Sequence, residues 1–383
     1  MKQFEVAIAG AGPAGAACAA ALLRRAPELA GAIVLLDRAR FPRDKPCGGG
    51  LTGHALDAMR ALGLRLDVPR FASPRARVTL GDRQRELALP RPVVIVRRKE
   101  FDASLAAQAR ELGADLRECV ALLDFRVRDG RVDLDTSAGP LRARILVGAD
   151  GAASRVRSRL MGRGRAPLRL MRAEISGKTW GDAMLYDFSP MAQGLRGYLW
   201  VFPMPGERLN VGLMHSPTAP GPALMDMLRR RLAGMGLTLD GELRGWPAWR
   251  YRARAPLSSP HVLLVGDAAG IDALTGEGIA VGMEQAMVAA DTIVAARQSG
   301  DLRFVGYTRA IRRATVGREL ALDGLLARLL YGRGWARWAR LVLSDPTLLE
   351  LYAARVAGTT VLADRKRELL FALGRSLLRA SSA

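Results

Sequence analysis

Residues 4–9, FEVAIA, form a run that is apolar except for Glu5, followed by the small-residue turn GAGPAG and then the alanine-rich stretch AACAAALLRR. A run of that kind reads as a strand buried on both faces, and the alanine-rich stretch as a helix lying close against it. The pattern recurs. AIVLLD (32–37) is a second short apolar run, and ARILVGADGAASRVR (143–157) is a strand leading through glycines into a segment bearing Ser and Arg. HVLLVGDAAGIDALTGEGIAVGMEQA (261–286) is another strand, a Gly-Asp turn and the start of a long helix. Repetition of strand, turn and helix predicts an α/β fold with a Rossmann-like domain.

A different period appears in GYLWVFPMPGERLNVGLM (197–214), where Tyr198, Trp200 and Phe202 alternate along one strand face. The segment MPGER predicts the turn of a hairpin, with Asn210 and Gly212 on the returning strand. An aromatic row suits the wall of a cavity for a flat ring or an apolar chain, and an ordinary core face gives the same alternation. The tract MHSPTAPGPALMDML reads as a loop running into a helix.

From about residue 301 the chain becomes a series of basic amphipathic helices. They pack on their own domain or meet a membrane surface, for which Arg333, Trp335, Arg337, Trp338 and Arg340 are the candidate contacts. The small-residue run near the N-terminus is better explained by its glycine spacing than as a secretory signal, and no other window approaches the length of a membrane span.

Composition changes this picture little. The 383 residues are 49% hydrophobic and 25% charged, ordinary for a globular protein. The net charge of +21 is carried by arginine, since only Lys2, Lys45, Lys99, Lys178 and Lys366 are lysines. The arginines are spread along the whole chain without a zinc-finger, homeodomain or RNP pattern, which argues against nucleic acid as the partner. Cys18, Cys47 and Cys119 are far apart and His54, His215 and His261 are isolated, so neither a disulfide framework nor a metal site is expected, and a cytoplasmic location fits.

The glycines carry the first chemistry. Gly10, Gly12 and Gly15 have the GxGxxG spacing of a dinucleotide site, in which Pro13 and Ala14 open a helix whose N-terminus attracts a pyrophosphate. Asp37 ends the second strand 22 residues beyond Gly15, where a carboxylate meets an adenosine ribose, with Arg38 beside it.

Taken in order, the GxGxxG, GADG and GDAAG segments resemble those of the FAD-dependent oxidoreductases of the p-hydroxybenzoate hydroxylase fold group. The resemblance implies FAD, with Asp267 beside Gly266 at the ribitol chain and Asp150 in the GADG turn. It lays the LTGEG turn, with Gly276, Gly278 and the following Ile279, against the flavin ring. RRKEFDASL resembles the group's Arg-x-x-Phe-Asp segment, which gives Arg98 to the cofactor, and Arg97 is its open alternative.

Within the group, FPRDKPCGGGLT resembles the Pro-x-x-x-x-Cys-Gly segment of geranylgeranyl reductase-type enzymes, with Cys47 and Gly48 as the matching pair. GYLWVFPMPGERLNVGLM resembles that family's Tyr-x-Trp-x-Phe-Pro and Asn-Val-Gly segments. The resemblance covers residues 4 to about 320 and brings Cys47 to the flavin as a catalytic candidate that steers substrate, donates a proton or is simply small. It gives Tyr198, Trp200 and Phe202 to the substrate. Cys18 reads as helix packing, and Cys119 is expected in a strand.

The implied activity is reduction of carbon–carbon double bonds in an isoprenoid or similar apolar substrate by hydride from reduced FAD. A monooxygenase is the main alternative. A flavin halogenase fits less well because its Trp-x-Trp-x-Ile-Pro segment is missing, and a non-catalytic flavin- or lipid-binding partner would not need the TGEG turn. Electrons would come from NAD(P)H or a ferredoxin-like protein, because no second GxGxxG is present. The expected domains interleave. Residues 1–70, 95–165 and 255–297 form the FAD-binding domain, 71–94 and 166–254 a mostly antiparallel substrate-binding sheet, and 298–383 a helical region.

Overall fold

A computed structural model describes residues 2–162, 164, 168–216 and 223–381. The apolar runs form a parallel sheet in the order Val262–Leu264, Leu141–Gly148, Gln3–Ala9, Ile33–Leu36 and Asp115–Arg117. Val6, Ile8, Val34, Leu35, Ile145 and Val147 are fully buried in it, as expected of strands covered on both faces. A hairpin, Leu122–Arg128 with Arg131–Thr136, extends Leu141–Gly148 antiparallel, and Ser258–Ser259 closes one edge.

The helix Pro13–Arg25 buries Ala16, Ala17, Cys18, Ala19, Ala20 and Ala21 completely, so its small side chains let neighbouring backbone come close. Its main partner is the helix Ile279–Ser299, and at their crossing a Cβ on Gly282 would stand 3.0 Å from that of Ala14. Ile279–Ser299 corrects one expectation from sequence. It is long and apolar enough for a membrane span, with a mean hydropathy of 1.4, yet 61% of that window is buried inside the protein.

The second sheet runs Arg244–Ala248, Leu168–Ser176, Arg208–His215, Gly197–Met204, Ala183–Asp187, Arg70–Leu80, Arg83–Val96 and Gly50–Leu51. It is antiparallel except where Ala183–Asp187 pairs parallel with Arg70–Leu80. The short strand Gly50–Leu51 ties the cysteine loop directly to this sheet.

The helices Tyr307–Arg313, Thr315–Tyr331, Trp335–Ser344, Pro346–Val356 and Lys366–Ser381 follow. Of the two places open to Trp335 from sequence, it takes the one within the protein: it packs against the cluster containing Tyr198, Trp200, Phe202 and Tyr331, with Arg196 lying 5.9 Å from its ring. Arg333, Arg337 and Arg340 are exposed. Cys119 is not in a strand; it is exposed in the turn after Asp115–Arg117 with a φ of 59°, because the chain reverses there. Part of the expected loop after His215, residues 217–222, lies outside the described residues, and the helix Leu224–Ala233 follows it.

Candidate functional site

A continuous cavity of about 510 Å³ runs from the glycine turn, past the cysteine loop, to the aromatic face of the second sheet. At its first end, Gly10 has a φ of 100°, and a Cβ there would lie 2.3 Å from the Ala149 carbonyl oxygen. A Cβ on Gly15 would lie 1.8 Å from the Gly10 oxygen, so strand and helix touch only without side chains. Gly12 faces open space, with only the Arg43 guanidinium, 3.4 Å away, near its Cβ position. The helix that starts at Pro13 has no side-chain cap and no acid in its first turn. Its first backbone N–H groups therefore have no partner within the helix, and an anion at Gly12 would satisfy them.

Asp37 is buried and accepts the N–H groups of Ala11 (3.1 Å) and Ala39 (3.0 Å). Arg43 reaches it at 3.2 Å and extends its other nitrogen 3.1 Å to Asp102. Arg38 is exposed at the rim of the cavity. On the opposite side, Asp267 pairs with Lys45 at 2.7 Å. Burial pushes its carboxyl pKa up, but the charges of Lys45 and Arg98 outweigh that and hold it below the usual range. Gly266, with a φ of 63°, packs its turn onto Ala14, and a Cβ on Gly278 would lie 3.3 Å from the Asp267 carboxylate. Gly276 and Ile279 line the same wall.

Two residues are committed within the protein. Asp150 lines the cavity and accepts from the hydroxyl of Ser154 at 2.5 Å and the N–H of Arg155 at 2.7 Å, capping the helix Arg155–Met161. Burial nevertheless raises its pKa. Arg98 is buried and grips Asp102 at 2.6 and 2.8 Å. Burial opposes its charge, but Asp102 and the neighbouring Cys47 prevail and hold the proton more firmly than usual. Arg97, left open from sequence, turns to Glu100 (2.9 Å) and Glu174 (3.4 Å), while Arg98 lines the cavity.

At the far end Tyr198, Trp200 and Phe202 share one face, joined by Tyr186 at ring separations of 5.4 Å to Tyr198 and 5.1 Å to Phe202. Tyr198 donates its hydroxyl to the Thr275 carbonyl at 2.5 Å, linking this wall to the TGEG turn. Trp200 donates to Asn210 at 2.9 Å, and Asn210 donates to the Cys47 carbonyl at 2.7 Å. A Cβ on Gly212 would lie 2.3 Å from the Trp200 ring, and one on Gly48 would lie 3.0 Å from Phe202. Gly212 thus leaves no room for a side chain, whereas Gly48 is tight against a ring that can yield. Cys47 is half-buried, and its sulfur accepts the Gly49 N–H at 3.4 Å.

Sequence reasoning missed Arg43, Lys45, Thr52 and Glu277. Only their positions beside recognised motifs could have drawn attention to them.

The open face of Gly12, the uncapped helix N-terminus and the carboxylates of Asp37 and Asp267 form one cradle, which suits a dinucleotide with hydroxyls at both ends. Fold and cradle together are those of an FAD-dependent oxidoreductase. Residues 3–179 match the protein-family model for an FAD binding domain. The menaquinone reductase of Mycolicibacterium smegmatis is 31% identical over 94% of this chain and 92% of its own length. Digeranylgeranylglycerophospholipid reductase 2 of Methanothermobacter thermautotrophicus is 28% identical over 87% of this chain and 89% of its own. A solved geranylgeranyl bacteriochlorophyll reductase-like protein from Thermoplasma acidophilum shares the fold, with a TM-score of 0.80 over 96% of this chain and 99% of its own at 21% identity. The chain belongs to the geranylgeranyl reductase-type family of FAD-dependent oxidoreductases.

Proposed function

We propose that the protein reduces a carbon–carbon double bond, or the ring of a quinone, in a prenylated and largely apolar substrate. FAD, when bound, supplies the hydride, after reduction by NAD(P)H or a ferredoxin-like protein. One observation carries the reading. The Cys47 loop is tied through Asn210 to the row Tyr198, Trp200 and Phe202, so the cysteine and an apolar wall face the same cavity. In this reading Gly10, Gly12, Gly15, Asp37 and Asp267 hold the cofactor, with the parallel sheet as its domain and the second sheet as the substrate's.

The chain's own contribution is placement and dryness. The aromatic wall takes an apolar group out of water. Arg98 fixes the floor beneath Cys47 through its buried pair with Asp102. Relatives named menaquinone reductase and digeranylgeranylglycerophospholipid reductase support a prenylated substrate. Such a substrate resides in a bilayer, and exposed Arg333, Arg337, Leu370 and Phe371 would meet its surface.

The test is anaerobic. The purified, FAD-loaded protein is reduced and mixed with a prenylated quinone or a polyprenyl lipid, and the flavin spectrum and product mass are followed. Reoxidation with a gain of two hydrogens by the substrate supports the reductase. Reoxidation by oxygen alone, with oxygen appearing in the product, replaces it with a monooxygenase.

A further inference from the structure

Beneath the TGEG turn lies a second, much smaller cavity of about 20 Å³, enough for about one water. Glu277 borders both it and the main cavity. The small cavity is walled by titratable groups from four elements. His54 comes from the helix Gly53–Ala61, Glu284 from Ile279–Ser299, Glu319 and Asp323 from Thr315–Tyr331, and Arg355 from Pro346–Val356. No group of this set is explained by cofactor binding.

The connections within the set are direct. The Thr52 hydroxyl, on the wall of the main cavity, donates to Glu277. The other oxygen of Glu277 lies 4.0 Å from Arg355, which bonds Glu319 at 2.7 Å and Asp323 at 2.5 Å. His54 Nδ1 lies 3.6 Å from Glu284, and His54 Nε2 and Asp323 Oδ1 are buried without a partner. A single water in the small cavity would have His54, Glu277, Glu284, Glu319, Asp323 and Arg355 among its neighbours, beside the apolar Ala280, Val281, Val316 and Leu320. On the main-cavity side the carboxylate is close enough to Tyr186, part of the aromatic wall, to help raise that phenol's pKa, after burial.

Charge counting shows what the cluster holds. Glu277, Glu284, Glu319 and Asp323 gather around one permanent cation, Arg355. Four ionised carboxylates cannot share one guanidinium in a site this closed, so the cluster keeps protons. Burial and the nearby Glu277 charge push Glu284 up to about 8, with Arg355 opposing. Burial and Asp272 push Asp323 upward too, again against Arg355.

We propose that Glu277 protonates the substrate in the main cavity and is recharged, through one water in the small cavity, from Glu284 and His54. This rests on the reductase reading above. The balance is simple: one carbon of the double bond takes hydride from the reduced cofactor, which is oxidised by two electrons. The other carbon takes the proton of the Glu277 carboxyl. The resulting carboxylate recovers a proton from Glu284, which is a quarter exposed and draws one from solvent beside His54. Arg355 and Thr52 hold the ends of Glu277 and are positioning residues.

The experiment uses the full-length FAD-loaded protein in two arms. In infrared difference spectra, a protonated-carboxyl band should fade as pH rises through about 8, and Glu284→Gln should lack it. In anaerobic reoxidation by a prenylated quinone, Glu277→Gln should be slower by about 100-fold or more, the scale of a lost general acid. Its flavin affinity and melting temperature should match the wild type, and Glu277→Asp should recover part of the rate. The wild-type rate should fall through about pH 8, and Glu284→Gln should abolish that dependence.

The relay is overturned if Glu277→Gln keeps pace with the wild type, or if the carboxyl band survives Glu284→Gln. If no prenylated acceptor reoxidises the wild-type flavin at all, it is the reductase reading that fails, and delivery to a double bond falls with it.

Discussion

Asn210 holds Cys47: its Nδ2 donates to the Cys47 carbonyl at 2.7 Å while its Oδ1 accepts from Trp200 at 2.9 Å. One buried amide joins the cysteine loop to the aromatic wall although 163 residues separate Asn210 from Cys47. Removing it leaves the Trp200 N–H buried without an acceptor, a loss of about 1–3 kcal/mol. Asn210→Ala should therefore lower unfolding stability by that amount and weaken flavin binding. Asn210→Asp keeps the acceptor for Trp200 and loses the donor to Cys47, so it should loosen the loop more than the wall. Denaturant unfolding followed by tryptophan fluorescence, with a parallel FAD titration, separates the two effects. An unchanged midpoint in Asn210→Ala would remove this tie from the account.

The consecutive glycines of the loop should not be equivalent. A methyl on Gly48 meets the Phe202 ring at 3.0 Å, and a ring can shift by a few tenths of an ångström. A methyl on Gly49 meets the Val96 carbonyl oxygen at 2.2 Å, at a φ of 75°. Backbone there is held by the pairing of Gly50 with Ile95 and cannot yield as easily. Gly49→Ala should lower the melting temperature clearly more than Gly48→Ala, whereas Gly48→Ala should act chiefly on substrate affinity. Thermal unfolding of the two variants side by side checks the order.

The three thiols should react in a fixed order with iodoacetamide. Cys119 is exposed and comes first. Cys47 is half-buried on the cavity wall, so it should follow, and bound FAD should slow it further. Cys18 is sealed in the first helix and burial pushes its thiol up to about 12, so it should be labelled only after unfolding. Peptide mass spectrometry at successive times reads all three. Labelling of Cys47 that FAD leaves unchanged would place the thiol away from the cofactor.

Glu284 gives a pH dependence of stability with a definite sign. Its carboxyl goes from 4.5 to about 8 in the folded protein, so folding takes up a proton between those values. The stability this group contributes is complete below pH 4.5 and is lost as pH rises through about 8. His54, Glu277, Glu319, Asp323 and Arg355 surround it in the small cavity. Glu284→Gln cannot ionise and should gain on the wild type steadily across that interval. Denaturant midpoints at several pH values test this, and parallel curves for the two proteins would count against a buried, protonated Glu284.

Much of the fold was legible in local pattern. The run FEVAIA and the spacing of Gly10, Gly12 and Gly15 announced a parallel strand, a tight turn and a close helix, because each depends on backbone sterics within a few residues. The period of Tyr198, Trp200 and Phe202 announced a shared strand face for the same reason. Cys119 was misplaced and Trp335 left between two readings because a short loop or a helix face has no local mark that says what packs against it. Arg98 could be separated from Arg97 only when the fold put Asp102 and Cys47 on one side and Glu174 on the other.

By itself the sequence determined the α/β class, the glycine turns and the family, since these are written in spacing and residue type over short stretches. Tertiary structure alone decided that Asn210 would grip Cys47, that Arg43 and Lys45 would lie on Asp37 and Asp267, and that Glu277 would stand between two cavities. Hydrogen bonds and buried charges act over about 3–4 Å of space, whatever the distance along the chain, and only folding brings such partners within reach.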